Sequence, residues 1–317
     1  IVEYLESDNK NHHPPTLLGT PIERLLYADD LALISQTPVG LQRQLDRLYS
    51  SCEKWGLEVN RDKTEVMVFR RGGKLANHER WYYAGQRLKV ASEFKYLGVV
   101  FSTKGGWGKH IGSAVGRANK VIGLLRSFIM RMSDLRVDVL MRIFNVVVKP
   151  VVTYGAEIWG HSPSELLNKP LAKYGRLVLG LPNGAPTSAT LLELGGVPTS
   201  AECQLQGIKF WLRLMKLPPH RWARKAYEAQ RTLAAEGVAS WGKGICENTK
   251  EHRHGYTQWL IGRVHNSGDF LERSRTRLIA LAKDELNREI QTLDSLGTYR
   301  TASGDERSAV YSGLSKR

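Results

Sequence analysis

The sequence has few cysteines, no long apolar run and fewer acidic than basic residues. Its three cysteines, Cys52, Cys203 and Cys246, lie far apart among the 317 residues. They form neither the paired spacing of a zinc site nor a disulfide framework, so we expect reduced thiols in a reducing compartment. No apolar stretch approaches the ~20 residues that a membrane-spanning helix needs, and we therefore expect no membrane partner.

The excess of basic residues is large and uneven. There are 46 Lys and Arg residues against 31 Asp and Glu residues, a formal net charge of +15. Between Phe101 and Gly180, twelve basic residues accompany only four acidic ones. A local excess of this kind indicates a surface that binds a polyanion such as nucleic acid. Composition alone leaves open the alternative of a basic surface that serves only solubility.

The first hundred residues predict an α+β layer. Two short apolar runs flank Asp29 and Asp30, which is typical of a β-hairpin. Thr37, Pro38 and Gly56 predict the two ends of a helix. Its apolar face is expected to carry Leu41, Leu45, Leu48, Cys52 and Trp55. Further strands are predicted at residues 57–59, 65–69 and 94–101, which gives the order β-β-α-β-β-β.

After the glycine-rich segment 104–108 the apolar periodicity becomes helical. Ile111, Val115, Ala118, Ile122 and Leu125 lie on one face of the first predicted helix. Ser133 is expected to cap a second helix that ends at Val148, before Pro150. Helices are also predicted at 164–180, 200–217 and 276–293, and residues 301–317 have the composition of a disordered tail. We place the domains at 1–103, at 104–217, and at 218–317, a polar helical region with that tail.

The adjacent pair Asp29 and Asp30 is unfavourable unless it has a partner. Two-residue hairpin turns prefer Asn-Gly or Asp-Gly, and neighbouring carboxylates repel each other. A divalent cation relieves this repulsion, and Mg²⁺ is typically held by one or two carboxylates together with substrate phosphates. Taken alone, such a pair is more often a solvated acidic turn or a helix cap than a metal site.

The residues around the pair resemble a known enzyme family. The segment Leu-Leu-Tyr-Ala-Asp-Asp-Leu at 25–31 is followed in order by Trp55–Asn60, Lys63–Phe69 and Phe94–Gly98. This succession resembles motifs C, D and E of reverse transcriptases. The alanine of the Tyr-Ala-Asp-Asp motif and the later segment Lys149–Gly160 are similar to the branch found in non-LTR (LINE-type) retrotransposons. The resemblance implies an RNA-directed DNA polymerase with a palm at 1–103 and a helical thumb at 104–217.

The resemblance also implies roles for individual residues. Asp29 would ligate the catalytic metals, Mg²⁺ or Mn²⁺, and Asp30 would support or share that task in two-metal nucleotidyl transfer. Tyr27 and Ala28 would approach the deoxynucleoside triphosphate and the primer end. Lys63 matches the lysine of motif D, a candidate general acid or partner of pyrophosphate; the alternative is a solvated turn lysine. The primer grip would comprise Phe94, Tyr96, Leu97 and Gly98.

The thumb is expected to hold the duplex of template RNA and DNA primer. Its proposed phosphate contacts are Arg117, Lys120, Arg126 and Arg131, for which a solvated helix face is the equal alternative. Tyr154 and Trp159 could stack on bases, but core packing is the preferred interpretation. The family copies RNA at nicked chromosomal DNA, so the resemblance implies nuclear action.

Motif A, motif B, the fingers and the endonuclease of the family have no counterpart in these residues. The 26 residues before Tyr27 contain Asp8, which lies in a polar loop rather than on an apolar strand. Together with Ile1 in place of Met, this predicts a fragment that is inactive alone. The alternative function is a non-catalytic remnant that binds RNA or an RNA–DNA hybrid. A relative of group II intron maturases is a weaker third possibility, against which the segment Tyr154–Gly160 argues.

Overall fold

Short hairpins around one long helix make up the N-terminal part of the protein, and helices dominate the rest. The computed structural model describes residues 13–70, 72–131, 135–162, 164–249 and 266–293. The chain divides into two compact units, with the division between Gly106 and Trp107. The mixture of helix and strand agrees with the predicted α+β class.

The strands among the described residues of the N-terminal unit form five separate two-stranded sheets. Four are antiparallel hairpins, and the fifth pairs β5 with β8 in parallel. The strands are β1 (Thr16–Leu17), β2 (Thr20–Pro21), β3 (Arg24–Tyr27), β4 (Asp30–Leu33), β5 (Glu65–Val66), β6 (Tyr82–Tyr83), β7 (Gln86–Arg87), β8 (Lys89–Val90), β9 (Glu93–Tyr96) and β10 (Val99–Ser102).

Helix α1 (Pro38–Trp55) confirms the helix boundaries predicted from the sequence. The Thr37 side chain accepts a hydrogen bond from the Gly40 amide, and Gly56 ends the helix with a positive φ of 63°. The predicted apolar face is confirmed at Leu45, Leu48 and Cys52, which are buried. The prediction is wrong for Trp55, which is 59% exposed because the last turn of α1 extends beyond the core.

The core of the N-terminal unit lies between α1 and the hairpins. Trp81, Tyr83 and Leu88 pack against the apolar face of α1. The Trp81 indole N–H donates a hydrogen bond of 3.0 Å to the carbonyl oxygen of Pro38, and the Gln42 side chain bonds both backbone groups of Tyr82. These bonds fix the helix against a hairpin to which no sequence pattern linked it.

Two of the predicted strands are wrong in extent. Residues 57–59 form no strand, because only Val59 of the segment packs on the core, where it is partly buried. The strand predicted at 65–69 is limited to Glu65–Val66. The segment 94–101 has β-structure, as predicted, but it is not one strand: it forms the hairpin of β9 and β10, whose turn is Leu97-Gly98.

The second unit begins with α2 (Gly108–Arg131), which confirms the helical periodicity after residue 108. The other α-helices are α3 (Val137–Ile143), α4 (Lys149–Thr153), α5 (Ala156–Trp159), α6 (Lys169–Val178), α7 (Thr187–Leu194), α8 (Thr199–Met215), α9 (Trp222–Ala235), α10 (Trp241–Thr249) and α11 (Ser267–Thr292). The helices predicted at 164–180, 200–217 and 276–293 correspond to α6, α8 and α11. Helix α7 was not predicted.

Pro150 does not end a helix, contrary to the prediction. A π-helical segment, Phe144–Val148, follows α3 and leads directly into α4, with Pro150 in the first turn of α4. The predicted cap Ser133 lies outside the described residues, as does the predicted tail 301–317.

Helix α8 lies at the centre of a core that continues well beyond residue 217. Ile208 and Trp211 of α8 are fully buried, and they share one cluster with Tyr227, Ile245 and Phe270. The Trp211 and Phe270 rings meet edge to face at 5.5 Å. Residues on both sides of the predicted boundary at 217/218 therefore pack into the same core.

None of the described helices is long and apolar enough to cross a membrane.

Cys52 and Cys203 are free and buried. Burial raises the pKa of the Cys203 thiol to about 12, because the apolar surroundings disfavour the thiolate.

Candidate active site

The acidic pair lies at the tip of the hairpin formed by β3 and β4. Tyr27 pairs with Asp30, so the two turn residues are Ala28 and Asp29. The predicted turn of Asp29 and Asp30 is thus displaced by one residue. Both carboxylates are exposed, one on the turn and the other on the first residue of β4.

Ala28 holds a backbone conformation that glycine normally takes. Its φ is 49°, in the left-handed region that costs a residue with a Cβ atom about 1–2 kcal/mol. Three other hairpins of this unit turn on Leu18-Gly19, Ala84-Gly85 and Leu97-Gly98, each with positive φ at both positions. Asp29 occupies the second turn position, which is glycine in the other three hairpins, but unlike those glycines it has no positive φ. The strain of the acidic turn therefore lies at Ala28.

One strand of the acidic hairpin is anchored and the other is not. Leu31 and Leu33 of β4 pack on the core, and the Gln44 side chain donates a hydrogen bond of 3.1 Å to the Ile34 carbonyl oxygen just beyond β4. On β3, Leu26 and Tyr27 are 54% and 66% exposed. The core therefore fixes the position of Asp30 through β4, while β3 presents Tyr27 to solvent.

A second hairpin comes close to the acidic tip. The pKa of Tyr96 in β9 is raised by burial and, to a smaller extent, by the negative charge of Asp30. Phe94 and Tyr96 are the half-buried residues of β9, and its turn residues Leu97 and Gly98 have φ values of 47° and 84°. No spacing along the chain predicted an electrostatic effect of Asp30 on Tyr96.

Lys63 lies in the 3-10 turn Arg61–Lys63, where its backbone N–H donates to the Asn60 side chain at 3.1 Å. Its side chain is exposed, and no ion pair joins it to the acidic pair within the part of the chain that the structure describes. Tyr96 is thus affected electrostatically by Asp30, whereas Lys63 forms no ion pair with either carboxylate among the described residues.

The two carboxylates suit magnesium only in one mode of binding. Within the described ranges no group of three or more His, Cys, Asp or Glu side chains could hold a metal ion. Mg²⁺ commonly uses one or two protein carboxylates and completes its coordination with water and substrate phosphates. Asp29 and Asp30 fit that mode, whereas a closed site built from protein ligands alone does not form here.

The four predicted phosphate contacts do not share one side of α2. Successive residues of an α-helix are rotated by about 100°, and this places Arg117, Lys120 and Arg131 on one side. Arg126 is roughly 120–180° away from each of them by the same rule. Lys120, Arg126 and Arg131 are exposed, and the half-buried Arg117 donates to the Ser113 hydroxyl at 2.9 Å.

Trp159 belongs to the core, as the preferred interpretation has it. It is fully buried, and its indole N–H donates to the Tyr154 carbonyl oxygen at 3.0 Å. Its ring lies 5.1 Å from that of His110, a buried residue that the sequence did not single out. Burial lowers the pKa of His110, the nearby Arg117 lowers it further, and a hydrogen bond with the Tyr154 backbone opposes both. The Tyr154 side chain is 54% exposed.

Residues 3–101, about a third of the chain, match the family "Reverse transcriptase (RNA-dependent DNA polymerase)". The chain is similar to a probable RNA-directed DNA polymerase from transposon BS of Drosophila melanogaster, at 28% identity over 160 residues. It is also similar to the RNA-directed DNA polymerases from mobile element jockey of Drosophila melanogaster, at 23% identity over 170 residues, and of Drosophila funebris, at 24% over 149 residues.

These similarities cover about half of this chain and a small part of each relative. The transposon BS match covers 48% of this chain and 18% of that protein. The two jockey matches cover 51% and 45% of this chain, and 18% and 16% of the respective polymerases. No solved structure matches the chain.

Proposed function

We propose that this chain is part of a reverse transcriptase of the kind carried by non-LTR retrotransposons and supplies the catalytic carboxylates of an RNA-directed DNA polymerase. Residues 3–101 match the reverse transcriptase family, and the similar proteins are RNA-directed DNA polymerases of mobile elements. The observation that carries the proposal is the acidic hairpin. Asp29 follows the strained Ala28 in the exposed turn, and Asp30 stands at the start of an anchored strand. Leu18, Ala84 and Leu97 have a similar positive φ, so the strain at Ala28 alone does not mark the site. The two adjacent exposed carboxylates favour a functional site over a solvated turn, because a divalent cation would relieve their repulsion.

Asp29 and Asp30 would hold Mg²⁺ or Mn²⁺ together with the phosphates of a deoxynucleoside triphosphate. When bound, the metal ions would activate the primer 3′-hydroxyl and stabilise the departing pyrophosphate. β4 holds Asp30 in place through Leu31 and Leu33. Tyr27 and Ala28 would lie against the nucleotide and the primer end, where the small alanine side chain leaves room.

The neighbouring hairpin would position the primer. Phe94, Tyr96, Leu97 and Gly98 are proposed to hold the primer backbone. The electrostatic effect of Asp30 on Tyr96 supports this role, since a primer grip must lie close to the carboxylates. Lys63 is proposed to approach the pyrophosphate only in the complex, because its side chain is exposed and unpaired with the acidic hairpin in the structure.

The helical unit is proposed to bind the backbone of the template RNA–DNA primer duplex. Such contacts recognise shape and phosphates rather than base edges. Arg117, Lys120 and Arg131 would serve one duplex, since helical periodicity places them together. Arg126 would need a different strand or act only as a solvated cation.

We further propose that the 317-residue chain does not extend a primer by itself. Two carboxylates without a third ligand among the described residues hold metal weakly in the absence of nucleotide. The same observation favours the second candidate function, a non-catalytic protein that binds RNA or an RNA–DNA hybrid. Metal binding and primer extension distinguish the two functions.

Metal binding tests the acidic hairpin directly. Mn²⁺ would be titrated into the protein with a deoxynucleoside triphosphate, and free Mn²⁺ would be followed by electron paramagnetic resonance. We expect Asp29→Asn to weaken binding by more than about tenfold, since even outer-shell changes cost about 10–100-fold. Asp62→Asn, which removes an exposed carboxylate from the 3-10 turn, is the matched control. Equal affinities for all three proteins would remove the metal site and leave the binding function.

Primer extension tests the catalytic proposal. An RNA template, a DNA primer, deoxynucleoside triphosphates and Mg²⁺ would be incubated with the chain, and we expect no product. Synthesis that Asp29→Ala abolishes would show that this chain is sufficient, which would contradict the proposed inactivity while supporting the polymerase. Synthesis that survives Asp29→Ala would contradict the role of the acidic hairpin.

A further inference from the structure

The junction of α8 and α9 carries a cluster of exposed cations. From Cys203 to Tyr227 the sequence contains six Lys or Arg residues and no Asp or Glu. Lys209, Arg213, Lys216 and Arg221 are exposed, and the neighbouring Trp222 is 47% exposed. We call these five residues the basic corner. It lies outside the residues that match the reverse transcriptase family, which end at 101.

Helical spacing aligns three of the cations. Lys209, Arg213 and Lys216 follow one another at steps of four and three residues, so they lie on one face of α8 and its C-terminal cap. With a rise of about 1.5 Å per residue, they are separated along the axis by roughly 6 Å and 4.5 Å. Such a row suits the regularly spaced phosphates of a nucleic-acid strand.

Contacts made by Arg224 hold the basic corner in a fixed arrangement. The Arg224 guanidinium donates to the carbonyl oxygens of Leu214 and Met215 at the end of α8, while it pairs with Glu228 at 2.6 Å. It also lies over the buried Tyr227 ring, 5.1 Å from its centroid. Because these contacts fix the start of α9 against the end of α8, Trp222 and the row of cations keep their relative positions before any ligand binds.

The exposed ring of Trp222 favours single-stranded nucleic acid over a duplex or a lipid surface as the ligand. Its indole ring is exposed, with the Lys225 ammonium 5.0 Å from the ring centroid. Single-stranded nucleic acid is bound by a basic surface that follows the backbone and by aromatic rings on which bases stack. A duplex has no unstacked base to offer the ring, and a lipid surface needs a wide apolar face rather than one aromatic residue.

We infer that the basic corner binds single-stranded nucleic acid, with phosphates on Lys209, Arg213, Lys216 and Arg221 and a base on Trp222. This surface is separate from the proposed contacts on α2 and from the acidic hairpin. It would hold an unpaired stretch of RNA without sequence preference, because every base has a face that can stack.

Anisotropy of a fluorescein-labelled 20-nucleotide oligouridine tests the inference on the full chain. The variant Lys209→Ala/Arg213→Ala/Lys216→Ala should bind more than about tenfold more weakly at ~0.1 M salt, with a salt slope smaller by about 2. The matched control is Arg275→Ala/Lys283→Ala/Arg288→Ala, which removes three exposed cations from α11. Equal loss in both triple variants would overturn the inference, since net charge alone would then explain binding.

Trp222 supplies a test that does not depend on charge. Trp222→Ala should weaken binding by about five- to hundredfold without changing the salt slope, and Trp222→Phe should restore it. Thermal melting would verify that each variant is folded. Unchanged affinity in Trp222→Ala would overturn the role of stacking. Phosphatidylserine vesicles that bind the wild type but not the triple variant, while RNA binding is unchanged, would assign the corner to lipid instead.

The two proposals fail independently. Asp29→Asn/Asp30→Asn should bind oligouridine like the wild type, whatever it does to metal affinity. Loss of oligouridine binding in that variant would overturn the assignment to the basic corner.

Discussion

The two units support their exposed charges in different ways. In the N-terminal unit, Asp29 and Asp30 stand on a hairpin of which one strand packs on the core while the other is exposed. In the helical unit, the cations of α2 and α8 stand on helices whose opposite faces are fully buried. The hairpin unit contains a strained turn that lowers its stability. The stability of the helical unit depends instead on close packing.

The largest expected effect tests the packing of the helical unit. Trp211→Ala should lower its free energy of unfolding by about 3–5 kcal/mol, since it removes a fully buried ring that packs on Phe270. Urea unfolding followed by far-ultraviolet circular dichroism measures the change. Trp222→Ala, at the exposed start of α9, is the control and should have almost no effect. A similar loss in both variants would contradict the central position of α8.

The next largest loss of stability is expected from a substitution where α5 lies close to α8. A Cβ atom on Gly160 would overlap the backbone carbonyl oxygen of Cys203. Gly160 has an ordinary φ of −67°, so Gly160→Ala tests packing alone and should cost about 1–3 kcal/mol.

The matched control for Gly160 lies in the same unit. Gly123 is within α2, and an added Cβ atom there meets nothing within 4 Å. Gly123→Ala should therefore stabilise the protein by about 0.5–1 kcal/mol, through a better helix propensity. Thermal melting of the two variants in parallel is sufficient, and shifts of the same sign would contradict the packing argument.

The sequence correctly predicted those helix ends that are set by interactions between residues close together in the chain. Thr37, Pro38 and Gly56 defined α1 because a side-chain cap, a fixed φ and a left-handed C-terminus act within a few residues. The same local rule failed at Pro150, which the sequence alone places at a helix end. In the structure α4 starts one residue earlier, at Lys149, directly after a π-helical segment, and the proline lies in its first turn.

The candidate site was predictable only in part, for the same reason. The order of motifs identified Asp29 and Asp30, and apolar residues on both sides identified their hairpin. The effect of Asp30 on Tyr96 depends on where two hairpins far apart in the sequence are placed in the fold, which no spacing along the chain encodes. Trp55 was assigned to the core from its position on the helix, but the core ends one turn earlier.

A smaller effect tests the strain in the hairpin unit. Ala28→Gly should stabilise that unit by up to about 1 kcal/mol, because relief of the left-handed conformation exceeds the added entropy of the unfolded glycine. Ala32→Gly makes the same chemical change inside β4, opposite Leu25, and should destabilise instead. Denaturant midpoints of the two variants measure the difference, and destabilisation by both would contradict a strained turn.

The smallest expected effect concerns protonation in the helical unit. The pKa of His110 is lowered, by burial first and then by Arg117. The unfolded chain therefore binds this proton more readily than the folded protein does. Stability is fully present above the unfolded pKa of about 6.5 and is lost as the pH falls from there toward the lower folded pKa.

Melting temperatures at pH 7.5 and 5.5 measure this loss. In His110→Gln the decrease between the two pH values should be smaller than in the wild type, and His161, whose pKa burial also lowers, accounts for part of the remainder. His220→Gln removes an exposed histidine and should leave the decrease unchanged. Each protein's melting temperature at one pH is compared with its own melting temperature at the other. A general destabilisation by the His110 variant therefore does not affect the result. An unchanged decrease in His110→Gln would mean that burial of His110 does not couple folding to protonation.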